Sequence, residues 1–476
     1  MHREPRQRLL LLRVFFRAAP DWVAASLVGL TVFLGYTVTA WYGTRQNTDT
    51  SATLLSAWQL AQHGTLDLST WNGEIPWRVD TDQGVYTNRF PGAVLAGVPF
   101  YWLLGDAAAP STFPAGVAAA FWTAVAVTFC YLLLRRLLTG TRAAAAGTAV
   151  FALATPTWSV SADSLWTHGP SQALLLIGLW LVTKDAYLWA GLPLGLTILC
   201  RPHLAVAVAS IGLILAVMHR RTSIVLKLGC FPLLAATGLV LYNREIFGTW
   251  SVLGGYNGDH LRATGVGPAV FIVNVLGALI SPSRGILLLT PFLLLLVPGL
   301  KSGWRASPSW ARAAGLGGLA YALVQLYLLR FNGGAGFYSY RTMIEPMTLA
   351  VPLLAVTYRE WTGVNAYRRA WFWALVTLSV GFYSFGAMMD PHQPELGNPF
   401  RTFSGWSVAQ DIHPAWSIAW LAVTVAATGL TLWRLWPHSS TSASAAVENP
   451  GEGGSNGGPL PARLDEVSAG GPETVR

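Results

Sequence analysis

Apolar segments recur along nearly the whole chain, and many of them approach the length needed to cross a lipid bilayer. About 20 consecutive apolar residues span the hydrocarbon core as an α-helix. Charged residues make up only 11% of the 476 residues, whereas soluble domains carry about 25%. A chain of this kind cannot cover a water-exposed surface. The sequence therefore predicts an all-α, polytopic integral membrane protein.

We predict about 12 transmembrane helices, within a range of 11 to 13. Their approximate ranges are 22–43, 114–134, 143–161, 167–183, 186–200, 203–218, 223–243, 285–300, 310–329, 343–358, 370–388 and 415–433. The first segment is long for a signal-peptide core and many more follow, so we expect it to stay uncleaved. The apolar run 93–104 is too short to span, and we expect an interfacial or re-entrant helix there.

Positive charge is concentrated on one side of the predicted membrane. With the basic N-terminus 1–21 in the cytoplasm, that side carries 19 Lys and Arg against 10 outside, excluding the tail. This distribution follows the positive-inside rule. If 93–104 were a full span, the basic loop 135–142 would move outside and the rule would fail there. The net charge of +9 is therefore a topology signal and does not indicate nucleic acid.

The long connections all fall on the predicted outer side. They are 44–92, which includes the predicted interfacial helices, and 244–284, 330–342 and 389–414. Long ordered loops tend to carry function. We expect 22–436 to form one transmembrane domain, with these loops as an outer layer. The residues 437–476 are rich in Ser, Gly and Pro, which is typical of a disordered segment, here a cytoplasmic tail.

The first outer loop opens with an acidic residue and an amphipathic segment. Asp49 precedes LLSAWQLAQHG, whose apolar residues are spaced for one helix face, and Gly64 is placed to end that helix. Asp49 can cap this helix or act as a general base at the membrane surface. Spacing alone favours the cap. Asp80 and Asp82, later in the same loop, are the alternative bases.

The same loop ends in DQGVYTNRFPG, directly before the short apolar run. Here Tyr86, Asn88 and Arg89 stand at the edge of a hydrophobic segment. Arg89 can extend its charged end to the membrane surface or contact a phosphate, for which a planar guanidinium is well suited. Pro91 and Gly92 would turn the chain into the interfacial helix.

Further polar residues stand at the predicted outer ends of other spans. They are His168, Arg201, Tyr256, Arg284, Tyr340, Arg341 and Glu345. Each arginine alone could be an interface anchor, and His168 alone could be structural. Because these arginines fall on the same side as Arg89 and Asp49, they indicate an extracytoplasmic cavity for an anionic, amphipathic substrate.

The order of these motifs resembles the lipid-carrier-dependent glycosyltransferases of the C-type superfamily, over about residues 20–435. It is most similar to the bacterial branch related to protein O-mannosyltransferases and lipid A aminoarabinose transferases. The segment GVYTNRFPG resembles G-x-x-Y-S-D-K-P-P-G, and YNREIFGTWSVLGGY resembles Y-N-x-x-x-F-G-x-P-x-x-x-G-Y. Six such matches follow the family's order. Asn88, Arg89 and Phe90 replace the family's Asp, Lys and first Pro, which alters the phosphate-contact geometry and the path of the loop.

The resemblance implies inverting glycosyl transfer on the extracytoplasmic face of the bacterial cytoplasmic membrane. The donor would be a polyprenyl-phosphate-linked sugar, such as mannose or arabinose, and the acceptor a hydroxyl of an envelope glycan, lipid or protein. Asp49 would be the general base. Arg89, Arg284 and Arg341 would stabilise the charge that develops on the carrier phosphate. No cofactor is expected, no residue spacing demands a metal, and a divalent-metal requirement stays open.

A lipid-linked-sugar transporter or flippase is the alternative function. Transporters commonly carry internal repeats and broken helices with polar residues at mid-membrane. Neither is evident in this sequence, where the ionisable residues cluster at one surface. A non-catalytic scaffold is a third hypothesis, and it gives no reason for arginines and acids to gather beside Gly-rich turns in the outer loops.

Overall fold

The structure is a computed structural model that describes residues 21–42, 47–256, 267–331, 333–334, 336–389 and 414–437. Within these ranges the chain is mostly helical, with one two-stranded hairpin. The predicted cytoplasmic N-terminus up to residue 20, nearly all of the predicted loop 389–414 and the predicted tail from residue 438 lie outside the described residues.

The regular elements follow one another in a simple order. The helices are α1 Asp21–Tyr42, α2 Thr48–His63, α3 Pro91–Leu104, α4 Thr112–Leu137, α5 Thr141–Leu153, α6 His168–Val182, α7 Tyr187–Cys200, α8 Leu204–His219, α9 Ser223–Phe247, α10 Pro268–Ile280, α11 Ile286–Leu289, α12 Leu300–Ala306, α13 Ser309–Leu328, α14 Ile344–Thr357, α15 Ala366–Met389 and α16 Pro414–Leu435. The hairpin consists of β1 Arg78–Thr81 and β2 Gly84–Thr87. Short π-helical or 3₁₀ turns occupy Thr157–Ser161, Pro291–Leu295, Val297–Gly299, Arg341–Met343 and Tyr358–Thr362.

Five helices in the described ranges are long and apolar enough to cross a membrane: α1, α4, α9, α15 and α16. Their outer faces leave large apolar side chains uncovered. On α9 the exposed fractions are 75% for Leu226 and 70% for Leu233, and on α16 the fraction is 70% for Val423. Such surfaces are stable against lipid and unfavourable in water. These helices indicate a helical membrane protein, as the sequence predicts.

Two predicted spans are wrong as continuous helices. The range 285–300 is broken into α11 and two short 3₁₀ turns, where Pro291 and Pro298 cannot donate the backbone hydrogen bonds that a helix needs. The range 143–161 contains α5, which ends before Pro156 and is followed by a π-helical turn. Apolar composition alone therefore overestimated the helix length at both places.

The outer-loop predictions also need correction. The range 244–284 was predicted as loop, but it contains α10. The buried Asn274 ties α10 to the end of α13, because its Nδ2 donates to the Leu326 carbonyl at 2.8 Å and its Oδ1 accepts from Phe331 N at 3.2 Å. The fold is mostly helical, as predicted, and the β1–β2 hairpin is an addition that the prediction did not include. Its tight turn reaches Gly84, whose φ of +146° suits glycine.

The short helix predicted over 93–104 is present as α3, with 14 residues. It begins at Pro91, whose fixed φ and missing N–H suit the first helical position. Next to it, Gly92 packs against the end of α7, where a Cβ would lie 2.5 Å from Cys200 N. Only glycine permits this approach, so the turn into α3 is fixed against α7.

Contacts between helix ends distinguish two ends of the helical core. Arg135 Nε donates to Asp21 Oδ1 at 2.8 Å, which joins the end of α4 to the start of α1. Arg359 donates to the Leu137 carbonyl, also at the end of α4. We call this arginine-rich region the basic end. The starts of α6 and α14 lie at the opposite end from the basic end. Most of the candidate site residues are found at this opposite end.

Candidate functional site

The carboxylate of Asp49, in the first turn of α2, receives hydrogen bonds from three side chains. Its Oδ1 accepts from Arg89 Nη1 at 2.9 Å and from Trp77 Nε1 at 2.9 Å. Its Oδ2 accepts from Arg341 Nη1 at 2.7 Å. The structure thus brings together three residues predicted from separate motifs, namely Asp49, Arg89 and Arg341. We call these three residues the carboxylate–arginine cluster.

Exposure differs among the members of this cluster. The exposed side-chain fractions are 25% for Asp49, 19% for Arg341 and 8% for Arg89. The pairs are therefore partly shielded from water, where charge-assisted hydrogen bonds are stronger than at a fully exposed surface. A small polar ligand can still reach Asp49 and Arg341.

Asn47, and not Asp49, caps α2. Its Oδ1 accepts from the backbone N–H of Asp49 at 2.6 Å and of Thr50 at 3.4 Å, and Thr50 Oγ1 accepts from Asn47 N at 3.1 Å. This reciprocal capping box satisfies the first free backbone donors of the helix. The hypothesis that Asp49 is the cap is therefore wrong. Gly64 ends the helix in a left-handed conformation, as predicted.

We expect Asn47→Ala to lower the free energy of unfolding by about 1 kcal/mol, because two backbone donors lose their acceptor. Thermal unfolding of the purified protein in detergent would measure the loss. Asn47→Asp is the matched control, since it keeps the acceptor oxygen and should stay close to wild type. Equal unfolding of the Ala variant and wild type would contradict the cap.

The hairpin places Trp77 and Asn88 at its open end. Asn88 N donates to the Trp77 carbonyl at 3.1 Å, and Trp77 takes a positive φ of 52°, which is uncommon outside glycine. Asn88 Oδ1 accepts from Arg89 Nε at 3.0 Å and from Nη2. Asn88 therefore orients the guanidinium so that Nη1 faces Asp49. Sequence reasoning missed Trp77, although the alternation on either side of Gly84 is a hairpin signal.

Tyr256 completes the surroundings of Arg89. Its ring lies 5.4 Å from the Arg89 guanidinium carbon and stacks on Phe90 at 5.2 Å between centroids. The preceding Gly255 allows this approach, since a Cβ there would lie 3.0 Å from Asn88 Cβ. The GGY motif thus has a physical reason, which is close packing against the loop that carries Arg89.

Arg341 is held by the glycine-rich segment before α14. Its Nη2 donates to the Gly333 carbonyl at 2.6 Å, and its guanidinium carbon lies 4.5 Å from the Trp166 ring centroid and 4.8 Å from that of Phe337. Gly336, with a φ of +73°, packs so closely on α2 that a Cβ would lie 2.7 Å from Asn47 Cβ. The glycines bring this segment against the start of α2, beside Asp49.

Arg284 binds the backbone of the same segment. The residue is 1% exposed, and its Nη1 donates to the carbonyls of Phe337 and Ser339, both at 2.9 Å. Its Nη2 donates to the Gly334 carbonyl at 3.3 Å. Ser339 is also buried and takes a φ of +90°, which is strained for a residue with a side chain. Arg284 therefore stabilises the backbone of the segment that leads to Arg341.

A second polar cluster joins the starts of α6 and α14 to the end of α7. His168 Nδ1 lies 2.7 Å from Glu345 Oε1, and Arg201 Nη1 lies 3.7 Å from the same oxygen. Arg201 Nη2 lies 3.1 Å from Nε2 of His203, a residue that the sequence analysis did not single out. Glu345 is fully buried. A buried carboxylate requires a cation or hydrogen-bond donors beside it, and Arg201 and His168 supply these to Glu345.

An aromatic side chain connects the two clusters. The Trp166 ring lies under Arg341 and 6.2 Å from the His168 ring, between centroids. His203 stacks on Tyr321 at 5.4 Å with nearly parallel rings. An Arg followed by Pro and His at a break between apolar helices is a signal that could have identified His203 from the sequence.

The remaining predicted site residues lie elsewhere. Asp80 is exposed in β1 and pairs with Arg78 at 2.7 Å. Tyr86 packs its ring edge-to-face on Phe247 at 6.4 Å. Tyr340 is buried, with only 1% of the residue exposed. These contacts do not involve Asp49, Arg89 or Arg341, so Asp80, Tyr86 and Tyr340 have supporting positions.

Burial alone would raise the pKa of the Asp49 carboxyl. The charges of Arg89 and Arg341, with the hydrogen bonds from Arg341 and Trp77, outweigh burial and hold that pKa well below its ordinary value. Asp49 is therefore a carboxylate at any physiological pH. It is also a poor proton acceptor for as long as both arginines hold it.

This pKa predicts a pH dependence of stability. A depressed folded-state pKa means that the ion pairs of Asp49 contribute fully above the ordinary value of 3.8 and are lost as pH falls below it. The stability difference between wild type and Asp49→Asn should therefore narrow below that pH. Unfolding in detergent across an acid pH series would measure it, and a constant difference would contradict the ion pairs.

The two clusters together carry a positive balance. The arginines at positions 89, 201 and 341 contribute three positive charges, and Asp49 and Glu345 contribute two negative ones, which leaves +1 if the histidines are neutral. Arg284, which binds the backbone of the segment before Arg341, raises the local balance to +2. A partly shielded site with this balance favours an anion, and guanidiniums match phosphate oxygens. In the part of the chain that the structure describes, no three His, Cys, Asp or Glu side chains are grouped to hold a metal ion.

No protein-family model matches this sequence, and no curated protein matches it.

Proposed function

We propose that this protein is an inverting membrane glycosyltransferase of the C-type superfamily. It transfers a monosaccharide from a polyprenyl-phosphate carrier to an acceptor hydroxyl on an envelope glycan, lipid or protein. The observation that supports this most is the Asp49 carboxylate, bound on one oxygen by Arg89 and on the other by Arg341. Two groups suited to binding phosphate thereby each lie within hydrogen-bond distance of a proton acceptor.

The proposed step needs only these groups and the two substrates. The acceptor oxygen attacks the sugar C1 on the face opposite the phosphate, and its proton passes to Asp49. The bond between C1 and the phosphate oxygen breaks, and its electron pair leaves with the carrier phosphate. Arg89 and Arg341 stabilise the charge that develops there. Attack from the opposite face inverts the configuration at C1.

In this mechanism the donor phosphate activates the base. A phosphate at Arg89 and Arg341 competes with Asp49 for their N–H donors, because phosphate oxygens accept charge-assisted hydrogen bonds strongly. Asp49 then loses part of the positive field that depresses its pKa, so the pKa rises toward its ordinary value. The carboxylate becomes more basic only when a donor is bound.

The second cluster has a role in the same site. Arg201, His168 and Glu345 lie next to Trp166, whose ring also contacts Arg341. We propose that this cluster binds the polar head of a substrate, with Arg201 as the cation nearest to the opening, since 11% of its side chain is exposed.

The topology belongs to the same proposal. About 12 crossings of the bacterial cytoplasmic membrane would put the basic end inside and the carboxylate–arginine cluster on the extracytoplasmic side. Arg135 and Arg359 at the basic end support this orientation, because cytoplasmic loops are enriched in Lys and Arg.

A panel of labelled polyprenyl-phosphate monosaccharides tests the function. Membranes that contain the protein should move label from one of these lipids to a glycan, lipid or protein and release polyprenyl phosphate. Membranes without the protein are the control. Movement of the intact lipid across the bilayer of proteoliposomes, with no sugar transfer, would favour a flippase and contradict the proposed transferase activity.

A further inference from the structure

An apolar crevice with a volume of about 410 Å³ opens at the basic end, where Arg359 and Arg369 line it. It lies between α5, α14 and α15. Its walls include Val150, Phe151, Met347, Val351, Phe372 and Trp373. This volume is within the usual range for small-molecule sites, which is about 300–1,000 Å³.

Small residues on α5 create the space. Ala143, Ala146 and Gly147 recur on one face of this helix and line the crevice. Across from them, α14 presents Leu354 and Ala355. Larger side chains on α5 would close the gap, so the crevice is a consequence of the sequence TRAAAAGTAV.

Polar groups occur at the rim of the crevice. Thr139, Arg359 and Arg369 line it together with the apolar residues. Arg359 is already engaged, because it pairs with Glu360 at 2.7 Å. Arg369 is exposed, and its Nη1 makes a long hydrogen bond of 3.4 Å to the Gly363 carbonyl. Arg369 is therefore the cation best placed to receive a ligand.

We propose that this crevice binds an anionic glycerophospholipid, with one acyl chain between α5, α14 and α15 and the phosphate on Arg369. An apolar interior with a cationic rim complements a ligand that has an apolar chain and an anionic head. Membrane proteins use such basic pockets between helices to hold anionic head groups. A zwitterionic lipid would fill the interior but would complement the rim less well.

The cationic rim of the crevice is far from the proposed donor site. Glu345 and Arg359 lie at opposite ends of the segment that contains α14, and 14 residues at 1.5 Å per residue put them about 20 Å apart. A lipid at Arg369 therefore does not occupy the place of a phosphate at Arg89. This inference does not depend on the proposed transferase activity.

Native mass spectrometry of the purified protein tests the proposal. The protein would be titrated with phosphatidylglycerol and with phosphatidylcholine that has the same acyl chains. We expect one phosphatidylglycerol to be retained about fivefold more tightly than phosphatidylcholine, and Arg369→Ala to remove that preference. Arg221→Ala is the matched control, because this exposed arginine between α8 and α9 does not line the crevice.

A second variant tests the acyl-chain position. Ala146→Phe should weaken retention of both lipids by filling the crevice, and thermal unfolding in detergent would verify that the variant is folded. Equal retention of the two lipids by wild type, or an unchanged preference in Arg369→Ala, would overturn the proposal. Selective retention of polyprenyl phosphate in the crevice would overturn it as well, by assigning the crevice to the carrier.

Discussion

Asp49→Asn should reduce sugar transfer by about 10²–10⁴-fold, the usual contribution of a positioned general base. Asparagine keeps nearly the same shape and one acceptor oxygen, but it cannot take the proton of the acceptor hydroxyl. The measurement is transfer of labelled sugar from a polyprenyl-phosphate donor, by equal amounts of purified wild type and variant in detergent or liposomes.

Two comparisons make this result interpretable. Asp80→Asn is the matched control, because Asp80 is an exposed acid of the same outer loop and pairs with Arg78. It should retain full activity. Size-exclusion profiles and thermal unfolding would verify that Asp49→Asn is folded. Full activity in Asp49→Asn would remove it as the base and favour Asp80 or Asp82.

Arg89→Ala should reduce transfer by about 10²–10³-fold, with a larger increase in the KM of the donor than in that of the acceptor. The reason is geometric. Asn88 holds two nitrogens of Arg89, and the third nitrogen, Nη1, donates to Asp49. A donor phosphate that competes with Asp49 for this nitrogen therefore binds Arg89. Arg89→Lys should keep part of the activity, because the charge remains while the forked donor geometry is lost.

The controls for this variant separate binding from folding. Arg78→Ala removes an exposed arginine of the hairpin and should leave both KM values unchanged, since half or more of that side chain is exposed. The steady-state kinetics of each variant would be measured against donor and acceptor in turn. An equal or greater effect of Arg89→Ala on the acceptor would count against phosphate binding by Arg89.

The members of the carboxylate–arginine cluster could be predicted from the sequence because each stands at a sharp change from polar to apolar residues. Asp49, Arg89 and Arg341 all have this signature. Their mutual contacts could not be predicted, since 292 residues separate Asp49 from Arg341. The cap of α2 was assigned wrongly because Asn47 has the same capping chemistry as Asp49 and lies only two residues earlier.

Proline and buried polar groups explain the other differences between sequence and structure. The range 285–300 is apolar enough for a span, but Pro291 and Pro298 interrupt its backbone hydrogen bonds. Arg284 has the sequence signature of a ligand contact, yet its Nη1 and Nη2 donate to the carbonyls of Gly334, Phe337 and Ser339. Sequence identifies such an arginine but gives no information about which acceptors surround it.

The anomeric configuration of the product tests the central claim most directly. Wild-type protein would be supplied with one accepted polyprenyl-phosphate sugar, and the linkage in the product would be determined by NMR. Direct attack assisted by Asp49 predicts that the product has the anomeric configuration opposite to that of the donor. It also predicts that Asp49→Asn forms this product much more slowly than wild type. Retained configuration, or inverted product formed at the wild-type rate by Asp49→Asn, would contradict the account.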